Sequence, residues 1–207
     1  MRLGLLGPAE GNVDGLGRAA EILVDVLKVE RAVYLGNDGA LDDAVASWAK
    51  RLVGSDPTDD AAWARGAQIA LRGSPGEIDD FVRSERARQR LRVLEGLEKG
   101  GDARTIEMIG DRVAVLLYDK ASLDEEDIFA ATLLVYGKSP EPLVKKVGTR
   151  WFMTPGSIGS PGGGAAVLDD DAEEIVASIY GREGARTLRE PIAIARAAKM
   201  KIQGGGP

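Results

Sequence analysis

The sequence predicts an α/β protein in which two β-sheets pack face to face with helices on the outside. Three observations carry this prediction. The opening of the chain alternates short apolar runs with helical periodicity in the order β-α-β-α-β, which requires parallel strands joined by helical crossovers. The second half is rich in apolar runs separated by tight turns, the pattern of hairpins. No segment repeats at a fixed period, which excludes a solenoid or a propeller.

The elements follow in order. Arg2 to Leu6 reads as a buried strand, stopped by Gly7 and Pro8. From Val13 to Lys28, the residues Leu16, Ala19, Ala20, Leu23, Val26 and Leu27 recur at three and four, which marks one face of a helix. Ala32 to Leu35 is a second strand, ending at Gly36-Asn37-Asp38-Gly39. A second helix carries Leu41, Val45, Trp48 and Leu52 on one side and breaks at Gly54. Gln68 to Leu71 reads as a third strand, ending at Arg72-Gly73-Ser74, and Glu77 to Glu98 as one long helix ended by Gly100-Gly101-Asp102. All three loops leaving these strands contain glycine, and in such sheets ligands bind at the carboxyl edge.

Thr105–Ile109 and Val113–Tyr118 form a predicted hairpin around a Gly-Asp turn, and a short helix near Asp124 to Ala130 leads to a strand at Leu133–Tyr136. Leu143–Val147 and Arg150–Met153 flank Gly148-Thr149, and Ala165–Leu168 and Ile175–Tyr180 flank the acidic turn Asp169-Asp170-Asp171. Residues 1–181 read as a single domain. Residues 182–207 read as a basic extension whose middle, from Ile192 to Ala198, favours helix and whose glycine-rich end is frayed.

Composition narrows the chemistry. The 207 residues suit one domain that buries roughly 70% of the surface of its unfolded chain. Histidine and cysteine are both absent. That excludes disulfides, a thiolate nucleophile and a zinc–thiolate site, and leaves only oxygen ligands, which suit Mg or Ca. The net charge of −6 disfavours nucleic acid as a partner. No apolar run reaches the length of a membrane span, and the apolar start is too short for a signal-peptide core, so a cytoplasmic protein is expected.

Six short motifs then appear in order. Arg2-Leu3-Gly4-Leu5-Leu6-Gly7-Pro8-Ala9-Glu10-Gly11-Asn12 resembles the opening strand and Asp-x-His-Gly-Asn loop of the calcineurin-like metallophosphoesterases. Val33-Tyr34-Leu35-Gly36-Asn37 resembles their second strand and Gly-Asp, and Arg72-Gly73-Ser74 their Arg-Gly-Asn loop. Leu117-Tyr118-Asp119 stands where a strand ends in His-Gly, Gly137-Lys138-Ser139-Pro140 where Gly-His-Thr-His is expected, and Thr154-Pro155-Gly156-Ser157 resembles the Asn-Pro-Gly-Ser turn of the compact YfcE- and Vps29-like branch. The resemblance spans about residues 1 to 180. It implies a four-layer α/β/β/α sandwich of two mixed β-sheets, in agreement with the two-sheet reading of the residues.

Active members of that family hold two metal ions that generate a hydroxide and clamp a phosphate. Carried over by position, the metal-ligand places are Pro8, Glu10, Asn37, Ser74, Tyr118, Lys138 and Pro140. Proline has no ligand side chain, neutral Asn37 removes the bridging charge, and Lys138 sets an ammonium near the place of a cation. The resemblance therefore implies a pseudo-phosphoesterase with no metal, no cofactor and no catalytic residue, serving as a scaffold that binds a protein partner; a homo-oligomer is compatible with it. The alternative is a phosphate or nucleotide sensor that uses the backbone amides near Gly7 and from Ser157 to Gly164 with Lys138. A third reading is an active phosphodiesterase with altered ligands. Glu10, Asp38 and Asp119 are candidates for a single hard cation, against an ordinary role as loop carboxylates or helix caps. The arginines between Arg83 and Arg92 read as a solvated helix face. Trp63, Trp151 and Phe152 are the aromatics whose exposure would mark a docking patch.

Overall fold

The computed structural model describes residues 1–97, 103–171 and 174–192. Its strands are β1 (Arg2–Leu6), β2 (Arg31–Tyr34), β3 (Leu94–Gly96), β4 (Arg104–Ile109), β5 (Arg112–Leu117), β6 (Leu133–Tyr136), β7 (Leu143–Val147), β8 (Arg150–Thr154), β9 (Ala165–Asp171), β10 (Glu174–Tyr180) and β11 (Arg186–Ile192). They form a six-stranded sheet in the order β11-β10-β9-β1-β2-β3 and a five-stranded sheet in the order β4-β5-β6-β8-β7. Both sheets are mixed: β1-β2-β3 and β5-β6-β8 run parallel, and the remaining pairs are antiparallel.

Alternation along the strands decides what lies between the sheets. Leu3 and Leu5 of β1 and Val33 of β2 point inward to meet Ala114, Leu116, Leu133, Val135 and Met153 of the second sheet. The opposite face of β1 and β2, with Leu6, Ala32 and Tyr34, is covered by α1 (Val13–Glu21) and α2 (Ala40–Val53), through Leu16, Ala20, Leu41, Ala44 and Trp48. α1 continues as a π-turn from Ile22 to Val26, so the expected helix to Lys28 changes pitch before Lys28 turns at φ 54°. The outer face of the second sheet buries Val115, Leu117, Leu134 and Tyr136 beside Ala131, which follows a short helix, Glu125–Ala130. The layers are thus α/β/β/α, as expected. Arg31 ties the sheets at one edge, reaching Glu95 of β3 and Glu107 of β4 at 2.5 Å each.

The region between α2 and β3 departs from the expectation. Gln68–Leu71 is not a strand. It lies inside α3 (Asp59–Arg72), whose alanines favour helix and whose first turn is capped by the Thr58 hydroxyl. A short apolar run cannot distinguish strand from helix by periodicity, and here the alanines around it decide. α4 spans Pro75–Arg90 and stops before the expected end; residues after it supply the third strand, β3. Gly100-Gly101-Asp102 lies outside the described residues. α3 and α4 therefore form an antiparallel helical hairpin ahead of β3.

The hairpin around Gly110, the short helix after Asp124, and the strands flanking Gly148 and the acidic run form where expected, although Asp169 to Asp171 extend β9 rather than make a turn. β11 pairs with β10, so the six-stranded sheet reaches past the boundary expected after Gly181. Ile192 ends that strand instead of starting a helix, and the rest of the expected helix lies outside the described residues.

Candidate functional site at the carboxyl edge of the sheets

The parallel strands β1, β2, β5, β6 and β8 deliver five loops to one edge, and backbone contacts lock these loops together. Gly7 N–H donates to the Gly164 carbonyl at 2.9 Å, Leu35 N–H to Leu6 at 2.8 Å, and Ile158 N–H to Pro8 at 2.8 Å. Gly137 N–H reaches both Leu117 and Tyr118, and Lys138 N–H donates to Tyr118 at 2.7 Å. Two glycines make these approaches sterically feasible. A Cβ on Gly7 would lie 1.7 Å from the Gly156 carbonyl oxygen, and one on Gly137 would lie 2.0 Å from that of Leu35.

This edge gathers Pro8, Glu10, Asn37, Tyr118, Lys138 and Pro140. Pro8 is buried and Tyr118 is half-buried; Glu10, Asn37, Lys138 and Pro140 are exposed. Glu10 sits at φ 49°, a left-handed turn that directs the chain back toward α1. Ser74 does not join them. It caps α4 at the tip of the helical hairpin in a reciprocal box with Glu77, its hydroxyl accepting from Glu77 N–H while the Glu77 carboxylate accepts from Ser74 N–H at 2.7 Å. The Arg72-Gly73-Ser74 correspondence is therefore corrected: the third strand of this sheet ends at Gly96, and the segment leaving it passes into residues 98–102, outside the described ones.

Lys138, Asp119 and Asp38 have partners within the fold. Lys138 Nζ lies 2.5 Å from Asp119 Oδ2. The Lys138 hydrogen bond, followed by the Ala121 N–H, holds the Asp119 carboxyl below the usual carboxylate range, and the same bond raises Lys138. Asp119 also caps the turn at Lys120–Ser122 through Ala121 N–H. Asp38 accepts from the Tyr34 hydroxyl at 2.8 Å and from Ala40 N–H at 3.2 Å, at the start of α2. Tyr34 in turn accepts from Ala9 N–H at 2.9 Å. Its ring fills the space under the β1 loop, and burial pushes its hydroxyl well above the ordinary tyrosine value. Among the described residues no group of three carboxylates converges as a metal-ligand set. Asp38 and Asp119 thus take the capping roles open to loop carboxylates.

The glycine-rich loop after β8 spends its amides internally. Gly156 N–H donates to the Thr154 hydroxyl, Ser160 to Ser157, Gly163 to Ser160, and Gly164 to Pro155 at 2.7 Å. Those four donors build the turn itself.

Two residues beyond the metal-ligand places matter here. Tyr34 couples the first two loops, and its signal was a hydroxyl at the end of an otherwise apolar strand, which needs a partner when buried. Trp63, on α3, is 80% exposed, whereas Trp151 is buried and Phe152 half-buried.

Comparison with solved structures places this architecture. A predicted phosphoesterase from Streptococcus pneumoniae TIGR4 superposes with a TM-score of 0.50 at 14% identity, covering 92% of this chain and 97% of its own. An archaeal phosphodiesterase gives 0.49 at 13% identity over 86% of this chain and 99% of its own. Vps29 from Entamoeba histolytica, solved with Zn2+, gives 0.47 at 14% identity over 93% of this chain and 100% of its own. No protein-family model matches the chain, and no curated protein does. The likeness to the streptococcal protein shows that the two mixed sheets and their helices form the metallophosphoesterase-like fold.

Proposed function

We propose that this chain is a non-catalytic protein-interaction module built on the metallophosphoesterase-like fold, related to the Vps29-like branch and working in the cytoplasm. One observation carries the reading: at the edge where a two-metal hydrolase gathers anionic and imidazole ligands, Lys138 sets an ammonium 2.5 Å from the Asp119 carboxylate. That ion pair neutralises one of the few carboxylates at the edge and repels a cation from it. Pro8, with no ligand atom in its side chain, and neutral Asn37 stand on the neighbouring loops. The turns that shape the edge persist while the side chains that would hold metal have been replaced. Among the described residues, no helix is long and apolar enough to cross a membrane.

The test is hydrolysis of bis-p-nitrophenyl phosphate by the full chain with Mn2+, Mg2+ or Ni2+. The proposal expects no turnover above buffer. Turnover that Asn37→Ala abolishes would contradict it and restore the reading of an active phosphodiesterase with altered ligands.

A further inference from the structure

The α3–α4 hairpin presents an outward apolar face. No residue of α3 is buried, and Trp63 and Leu71 are exposed at 80% and 83%. A groove of about 700 Å³ runs between the helices, with a floor of Ala62, Gly66, Ala67 and Ala70 from α3 and Phe81 from α4, and with Trp63 rising from its side. Ile78 and Val82, both exposed, continue that apolar face along α4 at helical spacing. A floor of small residues beside one large aromatic is a hole beside a knob.

We infer that this face pairs with the same face of a second copy of the chain, about a two-fold axis that crosses the middle of the hairpin at right angles to its helices. The inference deepens the interaction-module reading by naming the partner. Charge supports the second copy as occupant. α4 is acidic at the tip of the hairpin, with Glu77, Asp79 and Asp80, and basic at its base, with Arg86, Arg88 and Arg90, and Arg92 follows just after it. A surface of opposite sign at its two ends complements itself when turned through 180°.

Register supports it independently. Gly66 lies against Phe81, and Arg65 pairs with Glu85, so the centre of α3 at Gly66-Ala67 stands level with Val82 of α4. A two-fold axis at that level sets Trp63 over Ala70 of the second copy, places the two Val82 side chains together, and brings Asp79 opposite Arg86. Asp79 and Arg86 are exposed, and neither forms an ion pair among the described residues. The rest of the arginine run is occupied within the chain: Arg88 holds Glu85 and Asp59, Arg92 holds Asp59, and Arg90 holds Asp25. The knob and the free charges thus find their complements under one operation. Two helices of this length give a footprint of roughly 500 Å² per copy, near the lower limit for a specific interface, so a weak dimer is expected, with a Kd on the order of 10 µM or above.

Sedimentation velocity over a concentration series of the full chain tests this. The wild type is expected to shift from monomer to dimer with rising concentration. Trp63→Ala and Ala70→Arg, both at exposed helical positions, should weaken the dimer about tenfold or more while leaving the circular dichroism spectrum unchanged. Asp79→Arg or Arg86→Asp alone should weaken it about threefold, and the two together should restore it, because each new charge then meets its opposite across the axis. A wild type that stays monomeric up to about 500 µM overturns the inference. So does a dimer that survives Trp63→Ala and Ala70→Arg, which would be seated elsewhere, such as the outer side of the second sheet, where Phe129 is 85% exposed. Neither outcome bears on phosphodiesterase turnover, so failure of the dimer and failure of the non-catalytic reading are separately visible.

Discussion

The carboxyl edge of the sheets and the α3–α4 hairpin are built on opposite plans. At the edge, loops from five strands are tied backbone to backbone, glycines stand where no side chain fits, and Lys138 is paired with Asp119. The hairpin is held to the domain through α4 and α2, and ion pairs join its helices: Arg65 of α3 holds Glu85 of α4, and Arg88 of α4 holds Asp59 of α3. The Arg65–Glu85 pair lies between the helices of the hairpin, while Trp63 and Leu71 face out. An exposed apolar face on a helical projection is the kind of surface that partners cover. On the proposed reading, the first region keeps the shape of a hydrolase edge without its ligands and the second carries the means of association.

The largest expected effect breaks the edge. Gly137→Val would force a side chain onto the Leu35 carbonyl, where even a Cβ lies 2.0 Å away, and should cost about 3 kcal/mol or more in chemical denaturation. In the hairpin, a Cβ on Gly66 meets the Phe81 ring at 3.2 Å, and alanine's better helix propensity offsets the crowding. Gly66→Ala should therefore change stability by less than about 0.5 kcal/mol. Equal losses at the two positions would erase the distinction between a locked edge and an adaptable hairpin.

A middle-sized effect concerns Glu85. Burial raises its carboxyl, but hydrogen bonds from Arg65 and Arg88 outweigh burial and hold it below the usual range. A group depressed in the folded state stabilises the fold fully above its unfolded value, about 4.3, and loses that contribution as pH falls through the folded value. Glu85→Ala should cost about 2 kcal/mol at pH 7 by leaving two guanidinium groups short of an acceptor. Melting temperatures of the wild type should fall below about pH 4, and Glu85→Gln should flatten that fall. A variant whose acid profile tracks the wild type would remove Glu85 from the account. The smallest effect is at Trp63, where Trp63→Ala should alter monomer stability by less than about 0.5 kcal/mol in spite of the size of the side chain, because it is 80% exposed.

Much of this contrast was legible in the sequence. The two-sheet sandwich follows from the helical crossovers and the later hairpins, and the turns at Gly36, Gly110 and Gly148 lie where glycine and its neighbours require them. The third strand was not legible. Leu94–Gly96 is only three residues long and follows a helix without a breaker, while Gln68–Leu71 imitates a strand inside an alanine-rich helix. That exchange displaced Ser74 from the edge to the hairpin tip. At the edge, residue types at Pro8, Asn37 and Lys138 could be read by position, but the Asp119 partner of Lys138 and the contact of Ala9 with the Tyr34 hydroxyl depend on loops brought together by the fold, which spacing along one chain does not contain. The exposure of Trp63 was beyond composition for the same reason: an isolated tryptophan is usually core, and only the outward projection of α3 decides otherwise.

The central proposal is that the carboxyl edge does not bind metal, and isothermal titration calorimetry of the full chain with Mn2+ and Zn2+ tests it most directly. The account predicts no saturable heat at millimolar metal, with or without Lys138→Ala. Stoichiometric binding to the wild type that Asp38→Asn or Asp119→Asn removes would contradict it, and would return the edge to metal chemistry.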